Sequence, residues 1–156
     1  MVRSKHQEPR NSVVRGKRQA DGDAHAVDYE ALAQFRFQLR RFLSFSETAA
    51  RNAGLTPQQH QALLAIKGFS SAEPISVGKL AELFLVRHHT AVELVDRMTK
   101  LRLLERITDD SDSRRILVKL TKKGEQKLRM LSKVHLQELR TASPALTGIL
   151  QSFRRS

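Results

Sequence analysis

The stretch SVGKLAELFLVRHHTAVELVDRMTKLRLLERITDDSDSRRILVKL, residues 76–120, decides the fold. Ser76 is placed to cap a short helix from Val77 to Phe84. Leu85 and Val86 form a tight turn. A second helix runs from about Arg87 to Leu101, with Ala91, Leu94, Val95, Met98 and Leu101 recurring on its inner side. The β-prone runs Leu103 to Thr108 and Arg115 to Leu120 flank the polar loop 109–114, which predicts a hairpin. Ala81 stands where the first helix must approach the second closely.

Two short helices joined by a sharp turn and followed at once by a hairpin make a winged helix-turn-helix. Stepping 100° per residue from Val95 puts His89, Thr90, Glu93, Arg97 and Lys100 on the outer side of the second helix. This short, polar, donor-rich face is what a helix entering a DNA major groove needs. Arg87 and His88 stand at the helix start, where free N–H groups and cations both favour phosphate. Asp112 lies two residues before Arg114, close enough to hold its guanidinium. An arginine so presented can enter a narrow minor groove. Arg115 adds a second cation there. The expected DNA-contacting set is therefore Arg87, His88, His89, Thr90, Glu93, Arg97, Asp112, Arg114 and Arg115. An ion pair with Arg97 is the favoured role for Glu93, over accepting from a cytosine amino group.

Working outward, Tyr29, Leu32, Phe35, Leu39, Phe42, Ser46, Ala49 and Ala53 recur at helical steps and predict a helix of some 25 residues, ended by Gly54. Thr56, Pro57 and Gln59 then spell a capping box. Ala62, Leu63, Ile66 and Phe69 give that helix its inner face, and Gly68 is expected to close it. Ile75 is a candidate for a very short strand. Thr121 caps a long helix with Leu128, Leu131, Val134, His135 and Leu139 as its stripe. Ser143-Pro144 is read as the start of a separate last helix carrying Leu146, Ile149, Leu150 and Phe153. The outer helices have more apolar face than one lobe can cover, which points to an interwoven homodimer.

The whole is 156 residues long, with a net charge of +12 and a pI near 10.9. That length suits one domain, and the charge favours a polyanionic partner. Residues 1–27 hold Arg3, Lys5, Arg10, Arg15, Lys17 and Arg18 with little apolar content, and read as a disordered basic arm. The cation excess persists in the rest of the chain. There is no cysteine, which excludes a disulfide scaffold, a thiolate zinc site and a cysteine nucleophile. No apolar run is long enough for a membrane span or a signal peptide, so no membrane partner is expected and a cytoplasmic location is. No Gly-x-Ser-x-Gly turn, phosphate-cradling loop or His-Glu-x-x-His occurs, so neither an enzyme nor a metal site is expected, and no cofactor. His60 and His135 fall near apolar positions and read as packed, satisfied histidines.

At several points the sequence resembles the MarR family of bacterial transcriptional regulators. The resemblance is carried by Leu80-Ala81-Glu82-Leu83, Val86 to Thr90, Leu94 to Met98, Asp112-Ser113-Arg114 and Leu120-Thr121-Lys122-Lys123-Gly124. It implies a mainly α fold with a small β-hairpin: one domain over 28–156, with a DNA-binding lobe at about 55–120 and dimerisation helices at about 28–53 and 121–154. It further implies an obligate homodimer on a pseudopalindromic operator, a small-molecule effector between the lobes, and a wing-tip role for Arg114 supported by Asp112. The alternative is a basic architectural or RNA-associated winged-helix protein without operator specificity. Two positions depart from the family pattern. Arg87 replaces a capping Ser or Thr, and Arg102 replaces the usual Gly before the first wing strand. The turn at Arg102 is accordingly expected to avoid a left-handed backbone, which costs a non-glycine residue about 1–2 kcal/mol.

Overall fold

The computed structural model describes residues 29–70, 73–109, 112 and 115–153. The basic arm 1–27 and Arg114 lie outside them. Five helices and three strands follow in the order α1 (Tyr29–Asn52), α2 (Pro57–Phe69), β1 (Ile75–Ser76), α3 (Val77–Phe84), α4 (His88–Lys100), β2 (Leu104–Thr108), β3 (Ile116–Leu120) and α5 (Lys122–Ser152). The mainly α winged helix-turn-helix expected from the sequence is the fold observed. The sheet is antiparallel with β3 in the centre: Ile75 faces Val118, and Arg106 faces Val118 from the other side. The short strand at Ile75 thus ties the start of α3 to the wing.

Local chemistry sets most boundaries. Thr56 accepts from the Gln59 N–H while the Gln59 side chain accepts from the Thr56 N–H, closing the capping box. Ser76 caps α3 through the Lys79 N–H, and Thr121 caps α5 through the Gly124 N–H. Three helix ends share one device. After α1 the Gly54 and Leu55 N–H groups reach back to Arg51 and Ala50. After α3 the Leu85 and Val86 N–H groups reach Glu82 and Ala81. After α4 the Arg102 and Leu103 N–H groups reach Thr99 and Met98. This is the Schellman pattern, which needs a left-handed residue. Gly54 supplies it at φ 73°, Leu85 at 53° and Arg102 at 57°. The turn at Arg102 therefore does not avoid the left-handed region. Its two backbone hydrogen bonds, and the Thr121 hydroxyl donating to its carbonyl at 2.6 Å, hold it there.

Two other boundaries differ from expectation. Gly68 does not close α2; the helix continues through Phe69 and leaves at Ser70. Ser143-Pro144 does not start a new helix; α5 passes through Pro144 without interruption. An interior proline removes one hydrogen bond and costs about 3 kcal/mol. Tertiary anchors beyond it hold the axis: Ile149 is buried, and Phe153 packs edge-on against Phe35 of α1 at 6.2 Å.

The core lies within the head formed by α2, α3, α4, the sheet and the start of α5. Leu63, Ile66, Leu80, Val95, Met98, Leu103, Leu104 and Val118 are its most deeply buried large residues. Each contributes about 1.5–3 kcal/mol of burial. Gly124 marks the tightest contact, since a Cβ there would lie 2.2 Å from the Leu103 carbonyl oxygen. Two lysines of the same first turns of α5 serve earlier helix ends: Lys123 donates to the Leu101 carbonyl and Lys127 to that of Ala53.

Candidate nucleic-acid interface

Helix α4 is amphipathic in the sense required. Ala91, Leu94, Val95 and Met98 are buried, while His89, Glu93, Arg97 and Lys100 are exposed. Thr90 is half-buried, and it lines a narrow crevice with Gln58, Leu80 and Phe84. Arg87 takes the N-cap position in extended conformation and makes no side-chain cap. The first N–H groups of α4 are therefore left to other acceptors, beside two exposed cation-capable side chains, Arg87 and His88.

The wing stands next to this helix end. Arg106 of β2 pairs with Asp96 of α4, tying the strand to the helix. A notch of about 200 Å³ opens between them, lined by Ser76, Val77, Gly78, His88, Arg106 and Arg115 among others. At the wing tip the Arg115 guanidinium meets the Asp109 carboxylate at 3.2 Å, the Asp109 N–H donates to the Arg115 carbonyl, and the Arg115 N–H donates to the Asp112 carbonyl at 2.9 Å. The sequence reading sought the acid two residues before Arg114 and missed this cross-strand pair. The signal was in the hairpin register, because Thr108 opposite Ile116 puts Asp109 opposite Arg115. Arg106 was also missed; it stands opposite Val118 on the side of β2 that turns toward α4, where a cation is not expected from the strand pattern.

The expected residues do not all converge. Arg87, His88, His89 and Arg115 share the surface around the start of α4 and the wing. Asp112 is exposed at the loop. Glu93 and Arg97 do not form the expected ion pair among the described residues. Arg97 instead borders a cleft of about 530 Å³ with Glu47, Arg51 and the start of α2. The reason is helical: Arg97 follows Leu94 by three residues and shares its inclination toward α2.

The site and the architecture together define a winged helix-turn-helix. Residues 53–115 match the model of the MarR family, and the stretches that carry the resemblance noted in the sequence fall in this region except for 120–124. Solved structures share the fold. A point mutant of MarR from E. coli is 20% identical, with a TM-score of 0.63, over 83% of this chain and 98% of that one. RV1404 from Mycobacterium tuberculosis is 19% identical, with a TM-score of 0.68, over 85% and 95%. MepR of S. aureus in a complex with DNA is 17% identical, with a TM-score of 0.57, over 78% and 98%. At these identities the likeness is one of fold. No curated protein matches the chain.

Proposed function

We propose that this chain is a MarR-family transcriptional regulator that binds double-stranded DNA as a homodimer on a pseudopalindromic operator. We further read it as a repressor released by a small molecule, and place it in the cytoplasm with the DNA it reads. The observation that carries the reading is the exposed polar face of α4 beside a wing held to it by Asp96–Arg106. The family match over the same residues supports it, as does the DNA complex of the similarly folded MepR. In this reading His89, Thr90 and Glu93 face base edges, Arg87, His88 and Arg115 approach phosphates, and Arg97 bridges the reading helix and the α1–α2 cleft. Arg114, with Asp112 as its support, enters the minor groove.

Dimerisation is supported by the apolar side chains that α1 and α5 turn outward. Leu32, Leu39 and Leu43 lie along one flank of α1, and Leu136, Leu139 and Leu150 along one flank of α5. An open cleft of about 550 Å³ separates the far ends of the two helices. An effector would act by changing the separation of the two reading helices, which must match half-sites about one helical turn apart.

The test is to sequence the fragments that the protein retains from a random duplex pool, then measure specific and non-specific affinity at one salt concentration. A palindromic motif, bound about 10³-fold or more above random duplex, is the expected result. Retention without a motif, or equal binding to RNA, would replace this reading with the architectural one.

A further inference from the structure

A pair of histidines sits where α1, α2 and α5 meet, away from the DNA-facing surface. His60 of α2 is 3% exposed and His135 of α5 is 8% exposed. Their ring centroids are 4.6 Å apart. Phe42 and Phe45 of α1 turn ring edges toward His135 at 5.9 and 5.6 Å. The Leu131 carbonyl can only accept, so His135 Nδ1, 2.7 Å away, carries the proton. Nε2, 2.8 Å from Ser46 Oγ, then accepts from that hydroxyl while the ring is neutral. A second proton on His135 reverses the Ser46 bond without losing it. The Ser46 hydroxyl can therefore serve Nε2 with or without a hydrogen on it.

His60 cannot follow. Burial holds its ring neutral, and a charged His135 beside it adds repulsion; together they push its pKa from 6.5 down to about 4. Nothing nearby on the three helices offers His60 a counter-charge. On α1 the facing groups are Phe42, Phe45 and neutral Ser46, and the next acid, Glu47, is bound to Arg51. Arg41, also on α1, is exposed. Helix α2 has no acid, and its one cation, Lys67, is bound to Glu125 of α5. On α5, Lys127 is held by the Ala53 carbonyl, and half-buried Glu138 lies one turn beyond His135.

We propose that the His60–His135 pair is an acid-sensitive latch: it fastens the reading head, through α2, to the long helices while it carries one positive charge at most, and it opens when a second is forced on. The direction follows from linkage. The folded-state pKa of His60 lies below its unfolded value, so its contribution is complete above about pH 6.5 and is lost as the pH falls from there toward 4. By pH 5 the folded state should have lost on the order of tenfold or more in its equilibrium constant through this group. The consequence for DNA, which rests on the regulator reading, is weaker binding in acid.

The test uses the full chain. Imidazole C–H resonances are followed by NMR from pH 7.5 to 4, and thermal midpoints are taken at pH 7 and 5, for wild type, His60→Gln and His60→Phe. One resonance, absent in both variants, should stay in its neutral position until below pH 5. The wild-type midpoint should fall several degrees further between the two pH values than that of either variant that folds. His60→Phe keeps an aromatic ring in the site should His60→Gln not fold. If His60 titrates near pH 6.5, or if the pH dependence of the midpoint is the same with and without it, the latch is overturned.

A DNA arm compares the ratio of affinities at pH 5 and 7 in wild type and variant. His88 and His89 are the same in both proteins, so their effect cancels. The variant should keep several-fold more of its affinity, and an equal ratio in the two overturns the coupling to DNA. If neither protein binds duplex at any pH, the regulator reading falls, and the NMR and thermal results still decide the latch.

Discussion

In the head, helices α2, α3 and α4 each bury one full apolar face, with Leu63, Leu80, Val95 and Met98 all at 0% exposure, while Leu64 and Phe69 of α2 stay exposed. Along α1 the buried residues are two alanines, Ala31 and Ala50, while Leu32, Phe37, Leu39 and Leu43 are exposed. Both regions obey the same helical periodicity; they differ in what lies opposite the stripe. The head folds its stripes onto one another and onto the sheet. The long helices meet through Phe35–Phe153 and the His135 cluster and leave their flanks unmet. The head thus closes most of its apolar surface on itself, whereas α1 and α5 leave leucine flanks exposed, where the proposed dimer seam would lie.

Charge on the α1 flank should have the largest effect. Leu39→Asp together with Leu43→Asp would bury two carboxylates in the proposed dimer seam, at a cost of several kcal/mol. Sedimentation should show wild type as a dimer and the double variant as a monomer or unfolded chain. A double variant that sediments as wild type, with an unchanged thermal midpoint, would mean that these flanks face only water.

The second prediction compares two glycines of α5, one at each region. At Gly124 a new Cβ would meet the Leu103 carbonyl oxygen at 2.2 Å, whereas at Gly148 nothing lies within 4 Å. Gly124→Ala should destabilise by about 1–3 kcal/mol or more, since the contact is with backbone that cannot yield cheaply. Gly148→Ala should stabilise by about 0.5–1 kcal/mol through helix propensity alone. Thermal unfolding of the two variants reads both signs. Gly148 lines the cleft between the far ends of α1 and α5. A loss there in place of a gain would show that a second copy packs against that glycine.

These positions also show what the sequence could and could not reveal. Thr56, Ser76 and Thr121 were legible as caps because a cap is one side chain reaching one turn along its own helix. The buried faces of α2 and α4 were legible at Ala62, Leu63 and Ile66 and at Ala91, Leu94, Val95 and Met98, because helical period depends only on neighbours; Phe69 and Leu101, expected on the same faces, are exposed at the helix ends, where the packing partner runs out. Pro144 was misread because its local effect is to stop a helix, and the anchors that carry α5 through it, Ile149 and Phe153 against Phe35, come from another part of the chain. Asp109–Arg115 was missed because it needs the hairpin register, and the place of Arg97 because it needs α1 and α2 alongside. His60 and His135 read correctly as packed residues, but their meeting at 4.6 Å joins positions 75 residues apart and belongs to the tertiary structure alone. Sequence alone thus reveals their burial and not their coupling.

A smaller effect is expected from the tie between helix and wing. Arg106→Ala removes the pair with Asp96, whose side chains are 34% and 44% exposed. Such a pair is worth about 0–1 kcal/mol of stability. Its removal should barely move the thermal midpoint. DNA affinity should fall clearly, because a freed wing loses its fixed approach and the surface loses a cation. Asp96→Asn breaks the same pair while keeping the cation, so it separates positioning from charge. If Asp96→Asn binds duplex as wild type does and only Arg106→Ala weakens, then Arg106 acts on phosphate directly.

The smallest predicted effects come from the turns that bracket α4. The three Schellman ends form a natural series: glycine after α1, leucine after α3 and arginine after α4, with the same two backbone hydrogen bonds each time. A left-handed leucine or arginine carries a local cost of about 1–2 kcal/mol. Glycine removes that cost but gives back roughly 0.5–1 kcal/mol in unfolded-chain entropy. Leu85 is 93% exposed, so its replacement loses almost no packing. At Arg102 the backbone carbonyl that receives the Thr121 hydroxyl remains. Leu85→Gly and Arg102→Gly should therefore each raise stability by up to about 1 kcal/mol, a gain of a few degrees in thermal midpoint. Their effects should add, because the turns lie at opposite ends of α4 and bond to separate carbonyls. If Leu85→Gly instead lowers the midpoint, the leucine side chain must be covered in the folded protein by something outside this chain. The closed head would then have an outward apolar contact of its own, and the contrast with the long helices would be one of degree.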